Sequence, residues 1–357
     1  MIASEILAKG VERGIITAEQ AERLRALETA GEPPELPVSP DDEQLRFISG
    51  FSDVFVTIGL AMFLGAVGYF ALSSYGPFGM WMAIAVTAWL LAEFFTRLRR
   101  MALPSIVLLI VFAWAAFAAS AIFLGPGATY SSSQSVWALF AFGVIEPAML
   151  AGAAFLTVLL TALHYWRFRV PITIAAGCGA LLLMVIGLAS GLFPQSSRGA
   201  HSALILACGL AIFGLAMRFD MMDPERLTRR TDIAFWLHLL AAPLIVHSFI
   251  GGVFDVGSKL EPKPAVAVVA VFLALSFVAV LIDRRALLVS GLVYAGGAFW
   301  TLIRQAGLSD ITTPLTILIL GAFVLLLSAG WKPLRAGILQ LAPLALTRRL
   351  PQPTLSV

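Results

Sequence analysis

The chain has 357 residues, of which 59% are hydrophobic and only 13% charged, with a net charge of +3 and a mean hydropathy of +0.92. Soluble domains carry about 25% charged residues, most of them needed to solvate the outside. The composition therefore excludes an ordinary water-soluble globule and predicts an all-α integral membrane protein.

Residues 1–30 predict a small cytoplasmic helical hairpin. Ile2, Ile6, Leu7 and Val11 recur at helical spacing as far as Gly14. Thr17 to Gln20 then has the pattern of a capping box, in which two side chains satisfy the N–H groups that begin a helix. Residues 31–46 form an acidic, Pro-rich linker. Residues 1–47 carry ten acidic side chains against five basic ones. Such a surface repels phosphate and predicts no nucleic-acid partner. It suits a cytoplasmic protein docked on residues 1–30, or simply a solubilising cap. The same polar stretch has no short apolar core followed by a small-residue cleavage site, so no signal peptide is expected.

Residues 47–331 read as a polytopic transmembrane domain. About 20 apolar residues cross a bilayer, and ten windows fit: 51–73, 78–96, 103–124, 148–166, 170–192, 200–217, 232–251, 264–282, 286–303 and 312–330. Lys and Arg crowd one set of alternate loops, as at Arg97, Arg99 and Arg100 or at Arg284 and Arg285. The other set holds only Arg198, Lys259, Lys263 and Arg304. By the positive-inside rule both termini are expected in the cytoplasm. Residues 136–145 are apolar but too short to cross, so they read as an interfacial segment or as part of a broken helix. Residues 332–357 predict a basic tail, with 333–347 lying along the inner surface.

Ionisable groups within apolar spans are candidates for function because burying them is costly. Asp53, Glu93, His164 and His238 fall toward the inner side, while His247 and Glu146 fall toward the outer side, and the middle layer holds none. Pumps and ion-coupled carriers place an acid in that layer, so the sequence argues against such coupling. Glu93 precedes Arg97 by the spacing of a helical ion pair. His164 is placed to snorkel beside Arg167, and Asp283 reads as a helix-end charge next to Arg284 and Arg285. His238 and His247 flank Pro243 on one span. Their separation of nine residues puts them on opposite faces about 13.5 Å apart along the axis. They cannot share a metal ion, which leaves two separate interhelical hydrogen bonds or a hinge at Pro243. No nucleotide loop, zinc-protease or serine-hydrolase motif occurs. The sequence thus predicts no catalytic residue, cofactor or metal.

The run GIITAEQA at 14–21 and the segments FWLHLLAAPLIVH at 235–247, DRRALLVSGLVYAGGAF at 283–299 and PLTILILGAFVLLLSAGW at 314–331 carry a resemblance. The chain resembles a bacterial family of polytopic membrane proteins with a short N-terminal helical hairpin and no assigned activity. The resemblance implies an inner-membrane location and lends no catalytic residues. Three roles stay open: a transporter, channel or flippase for a neutral or lipid-like solute; a scaffold or sensor acting through the hairpin; or an intramembrane enzyme. The lipid bilayer is the expected partner in each case.

Overall fold

The computed structural model describes residues 11–14, 16–22, 51–125, 145–223, 228–251 and 262–341. All regular structure among the described residues is helical. The chain divides into two compact units, Met1–Gln44 with Pro353–Val357, and Leu45–Gln352. In the first unit the capping box is formed: Thr17 N–H donates to Gln20 Oε1 at 2.8 Å, and Gln20 N–H donates to Thr17 Oγ1 at 3.1 Å. The linker 31–46 lies outside the described residues.

The second unit is a bundle. Its helices are α1 (Phe51–Ala92), α2 (Ala102–Leu124), α3 (Pro147–Phe168), α4 (Ile172–Leu192), α5 (Arg198–Met221), α6 (Arg229–Gly251), α7 (Pro262–Ile282), α8 (Ala286–Gln305), α9 (Thr312–Ala329) and α10 (Trp331–Leu341). Among the described residues seven are long and apolar enough to cross a membrane, counting Phe51–Leu98 as one. Windows 51–73 and 78–96 both fall on that element, while 136–144 lies outside the described residues.

The element is not straight. Gly76 has φ 69 and ψ −171, a conformation that only glycine adopts without strain, and Pro77 follows it. Leu60 and Leu64 share a core cluster with Ala85, Ala88 and Ala92. Along a straight helix Leu60 and Ala92 would be about 48 Å apart, so the chain must fold back at Gly76.

The first eight helices pair as consecutive hairpins: α1 along α2, α3 along α4, α5 along α6 and α7 along α8. These hairpins close at one common end of the bundle. Three of the turns contain non-glycine residues in the left-handed region: Arg100 (φ 54), Arg169 (φ 55) and Asp283 (φ 58). At the third, Arg284 N–H reaches back to Ala279 O at 2.8 Å. This bond closes the end of α7 and satisfies a carbonyl the helix would otherwise leave orphaned.

Close packing within the hairpins depends on small residues. In the sequence Gly187-Leu188-Ala189-Ser190-Gly191 of α4, a Cβ on Gly187 would lie 2.7 Å from Ala151 N and 2.9 Å from Pro147 O. The α3 backbone therefore passes directly over this glycine.

Candidate functional site

The end at which the hairpins close gathers the buried charge. Asp220, in the last turn of α5, accepts a hydrogen bond from His238 Nε2 of α6 at 2.9 Å and another from Arg284 Nε at 3.1 Å. A second guanidinium nitrogen of Arg284 bonds the other carboxylate oxygen. His238 is 0% exposed and Arg284 only 2%. A cation withdrawn this far from water needs a counter-charge and hydrogen bonds, and Asp220 gives Arg284 a charge and two bonds while also engaging His238.

One turn away, Asp283 accepts from Trp331 Nε1 at 2.7 Å and faces Arg335 NH1 at 3.7 Å. Arg285 lies over the Trp331 ring, 5.1 Å from its centroid. These contacts fasten α10 to the α7–α8 turn. The expected surface-lying tail thus begins as a helix with a buried arginine. The sequence reads Asp283 as a plain helix-end charge next to Arg284. Both are buried, with different partners, because the left-handed backbone at Asp283 redirects the chain between them.

Asp223 organises the α5–α6 turn by accepting from Thr228 N at 2.8 Å, Thr228 Oγ1 at 2.6 Å and Thr231 Oγ1 at 2.9 Å. In the other half of the bundle Glu93 receives a two-pronged bond from Arg167, with Nε and NH2 each at 2.8 Å. The expected local partner Arg97 lies farther away, at 3.5 Å. The pair with Arg167 is better because its fork geometry engages both carboxylate oxygens.

The other sequence candidates are dispersed. His164 does not snorkel. It is buried among the rings of Trp89, Phe112 and Phe168, with Thr173 Oγ1 at 3.4 Å from its Nδ1. His247 is exposed and pairs through Nδ1 with Tyr294 OH of α8 at 3.3 Å. The two histidines of α6 therefore bond different helices, and α6 runs through Pro243 as one helix. Asp53 is buried in the first turn of α1. Glu146 is exposed at the start of α3. No three His, Cys, Asp or Glu come together as metal ligands among the described residues.

A second feature is an apolar groove of about 530 Å³ between α1, α2 and α3. Its walls include Met82, Val86 and Trp89 of α1, Phe112 and Ala116 of α2, and Leu160 of α3. Met82, Val86 and Leu163 on its rim are exposed. The groove therefore opens on the apolar flank of the bundle. No pattern in the sequence marked it, since its residues are ordinary span residues taken from three helices.

Neither the family models, nor curated proteins, nor solved structures give any match to this chain.

Proposed function

We propose that this chain is a ten-crossing inner-membrane protein, with both termini in the cytoplasm, that takes up and moves a neutral or lipid-like solute through the groove between α1, α2 and α3. The reversal at Gly76 supports the count. It divides Phe51–Leu98 into stretches of 25 and 22 residues, each about 33 Å or longer at 1.5 Å per residue. The eight helices from α2 to α9 supply the remaining crossings. The orientation rests on the Lys and Arg bias of alternate loops.

The groove is the observation that carries the reading. Its lining is suited to an acyl chain or another apolar body, and its rim faces where lipid would lie. No Asp, Glu, Lys or Arg occurs near the middle of any of the ten stretches, which fits a solute moved without a midplane acid. The separate N-terminal unit favours a second reading, a scaffold working through residues 1–30.

Reconstitution in liposomes containing a fluorescent phospholipid tests the proposal. Wild type should expose the inner-leaflet label to an external quencher faster than protein-free vesicles do. Val86→Trp, which fills the groove from its exposed rim, should remove most of that gain. Equal rates with and without protein, or an unaffected Val86→Trp variant, would sink the reading. Deleting residues 1–44 should leave the rate unchanged, whereas the scaffold reading requires a loss.

A further inference from the structure

A pocket of about 410 Å³ lies where two turns and the start of α6 converge. The α1–α2 turn contributes Arg97 and Arg100, the α3–α4 turn contributes Arg169, and α6 contributes Arg229, Asp232 and Trp236. Four arginines and one acidic residue thus line the same pocket. Arg97 makes a 3.5 Å contact with Glu93, which already holds Arg167 more closely. Among the described residues no carboxylate pairs with Arg100, Arg169 or Arg229, and all three are exposed. Thr96 and Ser105 add hydroxyls, and much of the remaining lining, including Ile106, Phe168 and Val170, is apolar.

A local irregularity in the backbone borders the same pocket. Thr57, Thr157, Thr161, Thr301 and Thr316 each donate a hydroxyl to the carbonyl four residues earlier. Thr96 does not. It lies in the π-helical turn Glu93–Leu98, where Arg99 N–H bonds Phe94 O five residues back. The Thr96 hydroxyl is buried without a partner, and Thr96 is one of the residues that line the pocket. Such turns recur at functional sites.

We infer that this pocket binds the phosphate of an anionic lipid headgroup. Loop arginines that only set orientation need to lie on one side of the membrane, not to converge from three elements on one cavity. Arginine suits phosphate because its fork donates two parallel charge-assisted bonds. The apolar half of the lining and the indole of Trp236 suit the glycerol and upper acyl region. A free phosphate ion has no use for either.

The inference rests on the cytoplasmic placement of this end proposed above, and not on solute movement. Native mass spectrometry of the full chain in detergent, with equal phosphatidylglycerol and phosphatidylcholine, tests it. Phosphatidylglycerol should be retained preferentially, and millimolar inorganic phosphate should not displace it. Arg100→Gln/Arg169→Gln/Arg229→Gln should weaken retention by about tenfold or more, while the corresponding triple Lys variant should keep a good part of it. If the Gln triple aggregates, Thr96→Val and Arg229→Gln singly should each weaken binding.

Equal retention of the two lipids, wild-type binding by the Gln variants, or displacement by inorganic phosphate would overturn the assignment. Lipid retention without solute movement would keep this site and sink the transport reading. Solute movement without selective retention would do the reverse.

Discussion

Asp220 shows how much a single side chain can hold in this bundle. It neutralises Arg284 and orients His238, both of which are buried. Asp220→Ala would strand an arginine in the interior, and we expect a loss of about 3–5 kcal/mol, read as a lowered midpoint in detergent thermal unfolding. Glu93→Gln should cost only about 0–1 kcal/mol, because its pair with Arg167 is roughly a third exposed and water screens it. Equal losses in the two variants would show that burial does not set the strength of these pairs. The sequence drew attention to His238 but not to Asp220, which joins it to Arg284. Asp220 lies 18 residues from His238, and Arg284 lies 64 residues beyond Asp220. A charge at a helix end reads as solvated in a linear sequence, and only the stacking of one hairpin against the next turns it inward.

At the scale of elements, hydropathy marked the helices because twenty apolar residues leave few alternatives in lipid. Two finer features were partly legible. Small residues spaced as Gly187 and Gly191 permit close packing, but the spacing does not say which glycine carries it. A Cβ at Gly187 meets α3 backbone at 2.7 Å, whereas at Gly191 the nearest atom is Pro147 Cβ at 3.7 Å. Gly187→Ala should therefore destabilise by about 1–3 kcal/mol, and Gly191→Ala should stay within about 0.5 kcal/mol. Differential unfolding of the two variants in one detergent decides it. The gap between windows 51–73 and 78–96 marks a break that includes Gly76 and Pro77, but not its sharpness. The left-handed φ of Gly76 makes the reversal a one-residue event. Gly76→Ala should cost about 1–2 kcal/mol in the same assay.

For the whole molecule, the number of crossings and the side on which each turn lies are linked by parity, and three cysteine reporters can read both. With Cys178 and Cys208 replaced, a cysteine at Arg100 reports the α1–α2 turn, one at Gln195 the α4–α5 turn, and one at Lys332 the start of α10. All three positions are exposed in the structure. Three helices, α2 to α4, separate the first two reporters, and five, α5 to α9, separate the last two. Both counts are odd, so with the crossings and orientation proposed above an impermeant thiol reagent added to spheroplasts should label Gln195→Cys alone. Arg100→Cys and Lys332→Cys should react only after permeabilisation. If α7 or α8 failed to cross, Lys332→Cys would be labelled from outside together with Gln195→Cys. If the orientation were reversed, all three results would invert. The buried contacts make the first failure costly. Asp283 and Arg284, in the α7–α8 turn, bond Trp331 and Asp220, so that turn must lie at the same end of the bundle as α10 and the end of α5. A helix that stopped short would have to break both contacts, and the Lys332→Cys reporter would register the change.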